Sequence, residues 1–193
     1  VLQKIISYLK FLFHSKNEHG VHSPFVFDLV TKCFYDKTKF PEFPLLKNNP
    51  KRARLLFRII RYFKPKTILE IGNPTELDTN LFSSEIISIE DFEKNKLSKI
   101  DKTFDFRLST FDFIYFNQNE SQKTTLAYFE LLLPTITNDT VWIINDIYKS
   151  TENENTWKII KKHPKVKVTI DAFHFGMVFF RAEQEKEDFV IRV

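Results

Sequence analysis

Lys66-Thr67-Ile68-Leu69-Glu70-Ile71-Gly72 is where the chain changes period. Before it, apolar residues recur every three or four positions. Here they crowd into a run too short for a helix that closes on a glycine, which reads as a buried parallel strand. Asn73, Pro74 and Thr75 follow, an N-cap with proline at the first helical position, so the spacing predicts strand, turn, helix. Downstream the alternation continues, with strands expected over 85–90, 111–116 and 140–144 and helices over 125–133 and 155–162. The β-rich runs 166–173 and 176–181 are separated by so few residues that they should form an antiparallel hairpin, and 189–193 adds a last strand.

Upstream, Leu2, Ile5, Ile6, Leu9, Leu12 and Phe13 fall at helical spacing, predicting an amphipathic first helix. Ser23-Pro24 opens a second helix running to about Cys33. Pro41, Pro44 and Pro50 make 40–50 a connector. A third helix over 51–63 turns Leu55, Leu56, Ile59, Ile60 and Phe63 inward, with Lys51, Arg54, Arg58 and Arg61 on its other side. The expected architecture is α/β: an open, mostly parallel sheet with one reversed strand and helices on both faces. Residues 1–50 form a helical extension and connector to an α/β domain of residues 51–193. In such sheets ligands bind beyond the carboxyl ends of the strands, so the positions just after Ile71, Ile89, Phe116 and Ile144 are the ones to watch.

Composition narrows the chemistry. The 193 residues suffice for one substantial core. Cys33 is the sole cysteine, so no intramolecular disulfide can form and cysteine-rich zinc sites are excluded. The first thirteen residues are interrupted by Lys4 and Lys10 and lack a signal-peptide cleavage site, and no segment has the roughly 20 apolar residues a bilayer span needs. A soluble cytoplasmic protein with no membrane span is expected. The three glycines, Gly20, Gly72 and Gly176, lie too far apart for a glycine-rich phosphate cradle, which excludes the P-loop and the full dinucleotide fingerprint. The net charge of +4 is mild, and the basic side of the third helix, which could hold an anionic substrate or nucleic acid, carries no recognition motif and reads as a solvated face, so no nucleic acid is expected.

Several motifs taken in order carry a resemblance. They are His19-Gly20-Val21-His22-Ser23-Pro24-Phe25, Ile68-Leu69-Glu70-Ile71-Gly72, Asp112-Phe113-Ile114-Tyr115-Phe116, Asn145-Asp146-Ile147, and the closing Phe175-Gly176-Met177-Val178-Phe179-Phe180-Arg181. Together they resemble the class I S-adenosylmethionine-dependent methyltransferases, and more narrowly a Bacteroidetes-type group with an O-methyltransferase-like core. The likeness runs nearly end to end, with a middle, 90–111, shorter than the family's. It implies a Rossmann-like methyltransferase sheet, S-adenosylmethionine as cofactor, and transfer to an oxygen or nitrogen of a small molecule. Carried over residue by residue, Glu70, Gly72, Glu90 and Asn117 would hold the cofactor, with Asp146 and His22 facing the substrate.

The sequence departs from the family in its glycine loop, where Pro74 and Glu76 stand at the second and third glycine positions. Proline removes a donor and glutamate adds bulk and charge. The same residues make a favourable helix start, a cap contributing about 1 kcal/mol and an acidic first turn roughly 0.3–1 kcal/mol. Glu90 reads either as the ribose acceptor or as a solvated strand end. The family's metal positions are matched by Asn117, Asn145 and Asp146, one carboxylate among three oxygen ligands, so no tightly held metal is expected. His19 and His22 bracket a turn and serve either as a helix start or, for His22, as a base. Two functions stay open: a methyltransferase, or a catalytically inactive methyltransferase fold acting as a binding or structural protein. The first helix is expected to dock onto the domain or onto a second copy of the chain, so a homodimer is a candidate assembly.

Overall fold

The computed structural model describes residues 2–38, 50–72, 84–89, 110–117 and 121–193. The expected connector 40–50, the turn at Asn73, Pro74 and Glu76, and Glu90 lie outside the described residues, apart from Pro50, the first residue of α3.

Among the described residues three α-helices precede the sheet: α1 (Leu2–His14), α2 (Pro24–Leu29) and α3 (Pro50–Phe63). The strands are β1 (Thr67–Gly72), β2 (Glu85–Ile89), β3 (Phe113–Asn117), β4 (Val141–Asn145), β5 (Val168–Asp171), β6 (Phe175–Phe179) and β7 (Glu187–Val190), with α4 (Gln122–Leu132) before β4 and α5 (Thr151–Lys162) after it. Their order across the sheet is β2-β1-β3-β4-β6-β5-β7. Among the described strands only β6 runs against its neighbours β4 and β5, as the hairpin required. The last strand lies earlier than 189–193, because Glu187 to Val190 take the register of Val168 to Asp171.

Caps set the helix starts. Ser23 Oγ accepts from Val26 N with Pro24 at the first position, Ser121 Oγ accepts from Thr124 N, and Ser150 Oγ accepts from Asn153 N. The last two begin α4 and α5 three or four residues ahead of the apolar periodicity, which marks only the buried turns. The second helix becomes a π-helix over Val30–Phe34, burying Cys33 and Phe34 against α3. There burial pushes the Cys33 thiol up to about 12, which suits a packing residue and not a nucleophile.

The sheet carries a core on each face. One side packs Val26, Leu29, Leu56 and Ile59 from the helices onto Ile68, Phe113 and Ile143. The other packs Phe129, Leu132, Trp157 and Ile160 onto Leu69, Phe116 and Trp142. Trp142 is the hub of this second side, its ring 5.0 Å from Phe129 and 4.9 Å from Phe180 in edge-on contacts.

The amino-terminal segment folds back along the β7 side. Lys16 N donates to Val190 O at 2.8 Å and Arg192 N to Lys16 O at 3.3 Å, a parallel bridge at the sheet edge. α1 crosses the carboxyl end of the sheet: Ser7 Oγ donates to Glu154 Oε1 at 2.6 Å, and Tyr8 and Phe11 meet Phe173 at 4.8 and 5.3 Å. The arc of α1 turned inward is the unexpected one. Ser7 and Phe11 are buried, while Ile5, Ile6, Leu9 and Phe13 remain exposed. Among the described residues no helix is long and apolar enough to cross a membrane.

Candidate functional site

The strand order reverses between β1, which turns to β2 on one side, and β3 on the other. The crevice outside their carboxyl ends is the place an open α/β sheet offers to a ligand. Gly72 and Asn117 are register partners there. Gly72 adopts φ 97°, a conformation that favours glycine, so the chain can leave the strand without a Cβ in the crevice.

On the α3 side lies a polar cluster. Arg52 Nη1 donates to Asp146 Oδ2 at 3.1 Å and its guanidinium stands 5.5 Å from the centre of the Phe175 ring. Arg52 also hydrogen-bonds Tyr115, whose phenol is raised mainly by burial, with Arg52 opposing that shift and Glu70 and Asp146 adding to it. Glu70 is only 1% exposed and accepts from Ser88 Oγ at 3.4 Å. Hydrogen bonding of this kind is what a buried carboxylate requires.

Asp146 is held at several points. It takes φ 52°, its N–H donates to His174 O at 2.9 Å, and its carbonyl accepts from Lys149 N at 2.9 Å and from Asn153 Nδ2 at 3.3 Å. Next to it Asn145 Nδ2 donates to Asn117 Oδ1 at 2.8 Å. Thus the three positions matching the family's metal ligands form an amide pair and an ion pair. Among the described residues no group of three or more His, Cys, Asp or Glu is placed to hold a metal ion. Among the described residues Asn145 Oδ1 is buried with no hydrogen-bond partner.

Of the residues singled out from sequence, Glu70, Gly72, Asn117 and Asp146 gather at or just beneath the carboxyl ends of β1, β3 and β4. Glu90 lies outside the described residues. His22 is not brought to them. It is exposed and adjoins Ser23, whose Oγ donates to Gln184 in the β6–β7 loop at the amino end of the sheet. The extension does fold back over the carboxyl end, but it does so with α1.

Arg52 and His174 were missed in the sequence. Arg52 sat in a helix whose cations read as solvent-facing, and His174 in a turn read only as a hairpin. Burial first, then Arg52 and Lys4, lower the His174 imidazole, while Asp146 opposes them. The available signal was position: a residue between a parallel strand and its antiparallel partner must stand at the carboxyl edge.

No family model matches the sequence, and no curated protein matches it. Solved structures do. A Podospora anserina methyltransferase bound to S-adenosylhomocysteine superposes with a TM-score of 0.55 at 12% identity, over 83% of this chain and 97% of that one. An O-methyltransferase of Bacillus cereus, also with S-adenosylhomocysteine, gives 0.48 at 14% identity over 72% and 92%. One from Streptomyces achromogenes involved in tomaymycin synthesis, with S-adenosylmethionine, gives 0.49 at 13% over 72% and 84%. The fold assignment rests on the first of these and on the sheet order. The chain has the class I methyltransferase fold: a mostly parallel seven-stranded sheet with one antiparallel strand and helices on both faces.

Proposed function

We propose that this chain binds S-adenosylmethionine and transfers its methyl group to an oxygen or nitrogen of a small molecule. The observation that carries the reading is the pairing of Gly72 at φ 97° with Asn117 across the switch-point crevice. The buried Asn145 Oδ1 beside Asn117, without a hydrogen-bond partner among the described residues, supports a nucleoside or amino-acid donor group there. Bound cofactor would supply an electrophilic methyl on a sulfonium.

The protein's part is alignment of the acceptor, a task requiring few specific side chains. Gly72 and Asn117 would face the cofactor from the strand ends, with Glu70 anchoring the strand beneath and Glu90 reaching the ribose. Asp146, held by Arg52 and by His174 O, would take the acceptor's proton as the new bond forms. His22 stands on the opposite end of the sheet and has no part in this reading. The exposed arc of α1 at Ile5, Leu9 and Phe13 supports a second copy of the chain as partner.

A second reading is favoured by the Asn145–Asn117 and Arg52–Asp146 contacts, which satisfy much of the carboxyl edge internally. It is an inactive methyltransferase fold that binds without turnover. Calorimetric titration with S-adenosylmethionine and S-adenosylhomocysteine separates them, using Asn117→Ala and Glu90→Ala as controls. Micromolar binding that each substitution weakens by about tenfold or more supports the enzyme. A folded protein giving no heat at millimolar ligand removes it.

A further inference from the structure

On the β5–β7 side of the sheet's carboxyl end lies a cavity of about 380 Å³, bounded by α1, α3, the β5–β6 turn and the segment after β7. Its volume falls in the range of small-molecule sites. Lys51, Arg54 and Arg58 from α3 and Arg192 from beyond β7 line it, with His174 from the turn. Tyr8, Phe11 and Phe173 supply an aromatic wall. Among the described residues lining it there is no aspartate or glutamate side chain, and Arg58 also donates from Nη1 to Phe34 O at 2.8 Å.

Three features separate this from an ordinary solvated helix face. Its cations come from two distant segments and converge on one concavity, which focuses a positive potential. Their opposite wall is aromatic. Phe173 holds φ 64°, a backbone conformation unusual for an aromatic residue, and so puts its ring between Tyr8, Phe11 and Tyr148. The low-set His174 imidazole agrees with a desolvated, cation-rich wall.

We propose that this cavity binds a small aromatic anion, its carboxylate or phosphate on the arginines and its ring against Tyr8, Phe11 and Phe173. Guanidinium groups suit both heads, because their forked donors match paired oxygens. The cavity wall also touches the crevice, since His174 O accepts from Asp146 N. Taken with the methyltransferase reading, on which this one step rests, the ligand is the methyl acceptor, anchored by its anionic end.

The test is calorimetric titration with phenyl phosphate and benzoate, with benzyl alcohol as the neutral probe and inorganic phosphate as the ringless one. Saturable binding of at least one aromatic anion is expected, about tenfold tighter than either control and weakened by salt. Arg54→Glu with Arg192→Glu, both at exposed positions, should abolish it. Arg54→Gln with Arg192→Gln serves if the reversed charges disturb folding, and circular dichroism checks each protein. Equal affinity for inorganic phosphate, unchanged affinity in a folded double variant, or no binding to the unmodified chain would each overturn the proposal. A parallel titration with S-adenosylhomocysteine keeps the two readings apart. Aromatic-anion binding without it leaves the pocket standing and the enzyme fallen, and the converse result does the reverse.

Discussion

Asp171 closes β5 with a buried carboxylate that accepts a short hydrogen bond from Tyr148 Oη and another from Phe173 N at 2.9 Å. Burial raises its pKa above the ordinary 3.8, and the bonds from Tyr148 and Phe173 only partly offset this. The folded state therefore keeps a proton that the unfolded chain releases. Stability from this group is present below 3.8 and is lost as pH rises through the folded value. In urea titrations between about pH 4 and pH 7, Asp171→Asn should gain stability relative to the parent as pH rises. A difference that is the same at every pH would show that Asp171 does not titrate this way. Gly176 illustrates the same scale from the packing side. A Cβ there would meet the Trp157 ring at 2.7–2.9 Å, so the close approach of β6 to α5 requires glycine. Its sequence position showed a hairpin, while the indole that excludes a side chain comes from nineteen residues away in sequence.

Among the elements, β1 was legible because its run of apolar residues is buried on both faces, and the hairpin because two β-rich runs leave no room for a crossover. α1 was legible as a helix but not in its orientation. Its leucines and isoleucines mark an arc, yet docking follows the partner surface, and Phe173 and Glu154 match Phe11, Tyr8 and Ser7 instead. Phe11→Ala should lower stability by up to about 3 kcal/mol and speed amide exchange across α1 while β1, β3 and β4 stay protected. Leu9→Asp, at a residue 59% exposed, should change the stability of the single chain, measured at a dilution where it is monomeric, by about 0.5 kcal/mol or less. Equal damage from the two would place the other arc against the domain. α3 shows the same limit. Its charged side read as solvent-facing, whereas Arg52 is drawn to Asp146 and Lys51, Arg54 and Arg58 border a cavity.

For the molecule as a whole, the first core joins Val21, Val26, Leu29 and Phe34 to every strand of the described sheet except β2, whose partly buried Ile86 packs against it. Lys16 adds backbone bonds to the β7 edge. Residues 2–38 and the sheet should therefore unfold together. Far-UV circular dichroism and the emission of the buried Trp142 and Trp157 should give superimposable urea transitions. An early loss of helix with unchanged emission would mark the extension as a separate unit. The sequence by itself determined the α/β alternation, the reversed strand and the positions of Gly72, Asn117 and Asp146 at the carboxyl ends of strands, because period, glycine and caps act over a few neighbouring residues. Only tertiary structure decided that α1 and not His22 reaches the carboxyl edge, that Arg52 pairs with Asp146, and that cations from α3 and the segment after β7 enclose one cavity. Those outcomes depend on which surfaces meet once distant segments pack, and a local pattern of residue types does not encode that choice.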